Sequence, residues 1–123
     1  MPKAISEQLV AGIASQDSAA IAACFTDDAQ FCALTPFGLR ERTGASEVGA
    51  LIARWFGDST ELELVDMRSD EVADRSHISY RFAGVEEGER YMVEQNLYCT
   101  VRDGKIERAD LLCSGFRPRD GAV

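Results

Sequence analysis

The spacing of apolar residues changes once along this chain, near Thr60. Before that point apolar residues recur at helical intervals. Ile5, Leu9 and Ile13 stand four apart and predict an amphipathic helix over residues 3–15. Asp17 then offers a carboxylate to the free N–H groups of a new helix. Ile21, Cys24 and Phe25 continue that helix at the right spacing, and Thr26-Asp27-Asp28 closes it with side chains that bond their own backbone. Residues 30–35 read as extended chain, running into a turn at Thr35-Pro36-Phe37-Gly38, and Arg40 to Arg42 as a polar loop or short strand. A third helix starts at Thr43 or Gly44, with Glu47 placed for a capping box. Val48, Leu51, Ile52, Trp55 and Phe56 form its stripe, and Gly57-Asp58 stops it.

From Thr60 the period is two. Leu62 and Leu64 alternate with Glu61 and Glu63, while Val65 and Met67 shift the phase and predict a bulge near Leu64-Val65. That strand reaches Ala73 and turns at Asp74-Arg75. Ile78, Tyr80 and Phe82 alternate with His77, Ser79 and Arg81 in the next strand. A loop at Val85-Glu86-Glu87-Gly88 leads into a long strand from Tyr91 to Val101. Asp103-Gly104 is a hairpin signal, since both positions favour positive φ, and Lys105 to Ser114 is the last strand. Arg117 to Val123 is expected to be loose. Helices first and strands afterwards is the segregated α+β pattern. One domain is expected over 1–123, its core spanning about 5–116.

Composition narrows the function. Hydrophobic residues make up 46% of the 123, enough to build a core, and the net charge of −8 repels phosphate backbones and anionic lipid. No nucleic-acid or membrane partner is therefore expected. No apolar run approaches a membrane span and no leader-like apolar segment follows Lys3, so the expected compartment is the cytoplasm. Cys24, Cys32, Cys99 and Cys113 have no metal-like spacing and sit among apolar neighbours, which reads as reduced core thiols. His77 is the single histidine. Neither a metal site nor a cofactor is expected.

Asp17…Phe25-Thr-Asp-Asp-Ala29, Pro36-Phe-Gly38, Gly44 opening a helix, and Asp103-Gly-Lys-Ile106, in this order and at these separations, resemble the nuclear transport factor two-like superfamily, in particular its SnoaL-like and ketosteroid-isomerase-like branch. The resemblance implies a cystatin-like cone: a curved antiparallel sheet wrapped around three N-terminal helices, with a pocket inside, commonly paired into a homodimer through the outer sheet face. It implies a small apolar or amphipathic ligand. Some members are isomerases, cyclases, dehydratases or epoxide hydrolases and others only bind, so fold alone does not fix the activity.

Carried over residue by residue, the family's catalytic groups are mostly missing. The Asp base of ketosteroid isomerases falls at Ala33 or Thr35, their first-helix Tyr at Leu9, and their oxyanion-hole Asp at Asn96. No isomerisation of a β,γ-unsaturated ketosteroid is expected from such a set. For the Asp–Arg–Asp arrangement of epoxide hydrolases, Asp110 and Glu94 could supply carboxylates and Arg102 or Arg108 the cation, though the offset from Ile106 to Asp110 is one residue short. The Asp–His pair of the cyclases fails because His77 alternates away from Ile78, Tyr80 and Phe82.

The long strand is where two readings diverge. Hydropathy alone buries Val93, Leu97, Cys99 and Val101. The resemblance turns Asn96 inward and leaves that apolar set, with Leu112, to cover a partner subunit. On the second reading Glu94, Asn96 and Tyr98 line one cavity with Trp55, Tyr80 and Leu111, and Glu94, Asn96 and Asp110 are the catalytic candidates. A Glu94 paired with Arg54 or Arg81 would instead be structural. The leading function is small-molecule binding in the cone. A cofactor-independent isomerase, hydratase or cyclase, and a protein-interaction module, are the alternatives.

Overall fold

A computed structural model describes residues 4–119. The first helix, α1 (Ile5–Ala14), buries Leu9, Val10 and Ile13. Asp17 caps α2 (Ser18–Ala22), its Oδ1 accepting from the N–H groups of Ala19 (3.0 Å) and Ala20 (3.2 Å). This helix is shorter than the apolar spacing predicts. The chain is already extended at Phe25, and β1 runs Phe25–Thr35. Cys24 and Phe25 are buried all the same, because the helix end and the strand start face the same core.

The turn after β1 is tied by Thr35, whose hydroxyl donates to the Gly38 carbonyl (2.9 Å) and accepts from the Phe37 N–H (3.2 Å). The polar stretch beyond it is a strand, β2 (Gly38–Thr43), and α3 spans Ala45–Phe56. The capping box does not form. Gly44 stands at φ +96° and donates its N–H to the Ala29 carbonyl (2.7 Å), so the donor Glu47 would have served is already used. Gly49 lets α3 approach α2: a Cβ there would come within 2.8 Å of Ala22 Cβ and Ser18 O.

The remaining strands are β3 (Thr60–Val72), β4 (Arg75–Glu86), β5 (Glu89–Arg102), β6 (Lys105–Cys113) and a short β7 (Arg117–Pro118). The start of the stretch expected to be loose thus pairs with β5, Tyr91 opposite Pro118; residues 120–123, which share that expectation, lie outside the described residues. The β3–β4 register breaks between Leu64 and Asp66, where the phase shift predicts it, and also between Thr60 and Glu63. Asp103 and Gly104 take φ of 52° and 80°, and the hairpin closes there.

The sheet is curved and unclosed, in the order β2-β1-β6-β5-β4-β3, with β7 beside β5. It is mixed rather than wholly antiparallel. β1 runs parallel to β6, with Ala33 opposite Leu111 and Leu34 opposite Leu112. That pairing joins the two ends of the chain and has no local sequence signal. The inner face carries Ala29, Phe31 and Ala33 of β1, Ile78, Tyr80 and Phe82 of β4, Val93, Gln95, Leu97 and Cys99 of β5, and Ala109 and Leu111 of β6. These pack with Leu9, Ile13, Ile21, Val48, Ile52 and Phe56 of the helices into one core. Among the described residues no helix is long and apolar enough to cross a membrane.

Candidate functional site

Strand β5 settles which residues can share a cavity. Its residues alternate between buried and half-buried along most of its length, and Gln95 falls in the buried phase with Val93, Leu97 and Cys99. Three apolar neighbours at every second position fix that phase, and a one-residue slip would drive all of them into water. Glu94, Asn96 and Tyr98 therefore lie on the outer face, contrary to the resemblance-based assignment. Tyr80 and Leu111 lie on the inner one, and Trp55, partly buried, packs against the core at 6.4 Å from the Phe31 ring. The six residues expected around one cavity are divided between two faces of the sheet.

Among the described residues the inner face carries a polar chain in which the sequence reading selected Tyr80 but neither Gln95 nor Cys113. Tyr80 Oη donates to Gln95 Oε1 at 2.6 Å, and Gln95 Nε2 donates to Cys113 Sγ at 3.4 Å. The Gly115 N–H reaches the same sulfur at 3.4 Å. Gln95 has no solvent exposure, Tyr80 almost none, and Cys113 is half-buried at the end of β6. Burial drives the Tyr80 hydroxyl far above its ordinary pKa. The surroundings are aromatic: Phe82 lies 5.7 Å from Tyr80, Phe56 lies 5.6 Å from Phe82, and Phe116 lies 5.5 Å from Phe56. Ser59 and Tyr91 share a second buried hydrogen bond beside Phe116. Burial also raises Tyr91, with the Ser59 bond opposing part of the effect. Among the described residues the buried polar side chains are Ser6, Thr26, Ser59 and Gln95 together with Tyr80 and Tyr91, and none is a carboxylate. Ala33, one of the two positions for a family base, is buried on this face, and Thr35, the other, spends its hydroxyl on the turn.

The inner face thus holds a neutral amide, a hydroxyl and a thiol bonded to one another inside an apolar wall. Among the described residues no carboxylate and no imidazole is buried on it. Cys24 and Cys99 are pushed up to about 11 by burial and behave as core hydrophobes.

The outer face is polar and cross-linked. Arg81 donates to Glu94 Oε1 through Nε (3.1 Å) and Nη2 (2.6 Å), and Asn96 Nδ2 donates to Glu94 Oε2 at 3.3 Å. These bonds, Arg81 first, hold the Glu94 carboxyl below its usual range. Glu94 is the structural partner of Arg81, not an acid poised near neutrality. A group lowered in this way stabilises the fold above its unfolded pKa and loses that contribution as pH falls, and at this exposure the contribution is small. His77 Nε2 lies 2.8 Å from Asn96 Oδ1 and its Nδ1 2.9 Å from Asp70 Oδ1, while its ring stacks on Tyr98 at 4.7 Å. Asp110 is also on this face, bonded to Arg75 at 2.8 Å. The three catalytic candidates are thus all outside the core. Among the described residues no three His, Cys, Asp or Glu side chains converge as metal ligands would.

The profile of the SnoaL-like domain family matches residues 6–109. No curated protein sequence matches the chain. Among solved structures, it is similar to a hypothetical protein with a ketosteroid isomerase-like fold from Catenulispora acidiphila, in complex with trimethylamine. Identity is 15%, the TM-score is 0.75, and 94% of this chain and 88% of that one are covered. A protein described as a polyketide cyclase from Xanthomonas campestris shows 20% identity and a TM-score of 0.68, over 88% of this chain and 86% of the other. An epoxide hydrolase from M. tuberculosis shows 16% identity and a TM-score of 0.66, over 89% and 80%. At such identities the likeness is one of fold.

Proposed function

Since the chain belongs to the SnoaL-like domain family, we propose that it acts as a single domain that binds a small, neutral, largely apolar molecule on the inner face of its sheet. The four free cysteines suit a reducing compartment such as the cytoplasm. The observation that carries the reading is the Tyr80–Gln95–Cys113 chain: an amide without solvent exposure, flanked by a hydroxyl and a thiol, within an aromatic wall. Binding sites of this kind combine apolar lining with a few convergent polar atoms. The absence of a carboxylate among the buried described residues favours binding over acid–base turnover.

The test uses a fused-ring ketone, 1-tetralone, titrated into the protein and read by Trp55 fluorescence and by the NMR signals of the Gln95 side-chain amide. Saturable shifts at Gln95 are expected. Gln95→Leu should weaken binding about tenfold, the scale of one buried hydrogen bond to a ligand, and Asn96→Ala should leave it unchanged. Shifts confined to Asn96 and Tyr98, or none that saturate, would defeat the proposal.

A second reading, self-association, has its own support. The strand residues first expected to cover a partner, Val93, Leu97 and Cys99, are buried in the chain's own core; of that set only Val101 and Leu112 are exposed. A different apolar row takes their place. Leu39, Leu34 and Leu112 are cross-strand neighbours on the outer face, each about half exposed, and Phe37 at the turn is 87% exposed. On this reading the chain sediments at twice its 13.5 kDa mass, and Leu34→Glu with Leu112→Glu returns it to one chain mass with its circular dichroism unchanged. A wild-type protein that is monomeric at micromolar concentration would exclude the homodimer.

A further inference from the structure

The start of β3 is irregular in two ways. Its register with β4 breaks between Thr60 and Glu63, and Glu61 within that break stands at φ +53°, the left-handed region that residues with a side chain rarely adopt. Bulges of this kind re-aim side chains, and strained residues gather where a ligand is held. Here Glu61 and Glu63 line a cleft of about 240 Å³. Arg90 and Arg119 also line it. They are held together by the backbone, the Arg119 N–H donating to the Arg90 carbonyl at 2.9 Å where β7 pairs with β5. Gly84 and Tyr91 line the cleft too, and a side chain at Gly84 would bring a Cβ within 2.8 Å of Tyr91 Oη.

Two carboxylates and two guanidiniums line this cleft, yet among the described residues none of the four forms an ion pair. Glu94, Asp110, Asp28 and Glu107 elsewhere on the surface all have their arginines. Both charge signs are present in the cleft, and no pair of them meets within salt-bridge distance. A simple anion would meet the arginines and be repelled by Glu61 and Glu63, on a chain whose net charge is already −8. A simple cation would meet the reverse. A molecule with a charge of each sign at its two ends is attracted at both, and each end gains charge-assisted hydrogen bonds. The volume suits something smaller than a drug-sized ligand.

We propose that this cleft binds a small zwitterion, with its carboxylate on Arg90 and Arg119 and its ammonium on Glu61 and Glu63. The site is separate from the inner-face site and stands or falls without it. γ-Aminobutyrate is the probe, titrated into the full chain and followed by the backbone amide signals of Gly84 and Val85, with acetate and propylammonium as probes carrying one end each. The zwitterion should give saturable shifts at millimolar concentration, and neither half-probe should saturate. Arg90→Gln and Glu63→Gln should each raise the dissociation constant about tenfold. Both positions are exposed, so the variants should keep the wild-type thermal midpoint, and Gln95→Leu should leave this binding intact. Acetate saturating as well as the zwitterion would reduce the cleft to an anion site. That result, absence of saturation, or wild-type affinity in Arg90→Gln would each overturn the proposal.

Discussion

Leu97→Ala should lower the unfolding free energy by about 3–4 kcal/mol, and Asn96→Ala, one residue away, by less than about 1 kcal/mol. Leu97 has no solvent exposure and sits between Ile78 and Leu111 in the strand ladder, within the core. Truncation removes buried methyl groups and leaves a cavity that a sheet fixed on both sides cannot close. Asn96 is half-buried on the other face, where loss of its bonds to His77 and Glu94 can be made good by water. Urea denaturation of the two variants gives the comparison. If Asn96→Ala costs more than Leu97→Ala, the faces of β5 are assigned the wrong way round, and Glu94, Asn96 and Tyr98 return as the lining of the cone.

The same strand shows where the sequence was readable and where it was not. Elements with a local cause were legible: the stripe Val48, Leu51, Ile52, Phe56, the Asp17 cap and the Asp103-Gly104 hairpin all rest on residues within a few positions of one another. The early start of β1 was hidden because Cys24 and Phe25 satisfy a helical stripe and a core-facing strand equally well. The β1–β6 pairing joins residues some eighty positions apart, and no local pattern reports it. For β5 hydropathy placed Val93, Leu97 and Cys99 where the structure has them and missed only Val101, which is exposed, whereas the family resemblance turned Asn96 inward. That resemblance put the family's oxyanion-hole position at Asn96, whereas the inward residue is Gln95. Gln95 drew no notice because a single amide in an apolar phase reads as an interruption of the pattern. A search for polar residues standing in a buried phase would have found it. Cys113 needed more, since its bond to Gln95 depends on the register between β5 and β6, with Gln95 opposite Cys113.

Replacing Gln95 by Glu should make stability fall steeply with rising pH. The new carboxyl would occupy a position without solvent exposure, and none of the buried described residues is a cation. Desolvation disfavours its charged form, so its folded pKa lies above the roughly 4.3 of an unfolded Glu. Below the unfolded value both states hold the proton and stability is independent of this group. Above it the unfolded chain ionises while the folded chain keeps its proton, so unfolding releases a proton. The unfolding free energy then drops by about 1.4 kcal/mol per pH unit until the folded pKa is reached. The Tyr80 hydroxyl, which donates to Gln95 Oε1 in the native protein, would donate to the carboxylate as well and shorten that range from above. Asn96→Asp is the control: it places a carboxyl on the half-buried outer face and should show no such slope. The measurement is urea denaturation at a series of pH values between 4 and 8, a range chosen to bracket the pKa of an ordinary and of a buried Glu. A flat profile for Gln95→Glu would mean that water reaches position 95 and that the inner face is not a dry site. A steep one would mean that this fold holds a neutral carboxylic acid beside Tyr80, able to donate a hydrogen bond to a developing oxyanion, at a position where the native chain holds an amide with no proton to transfer.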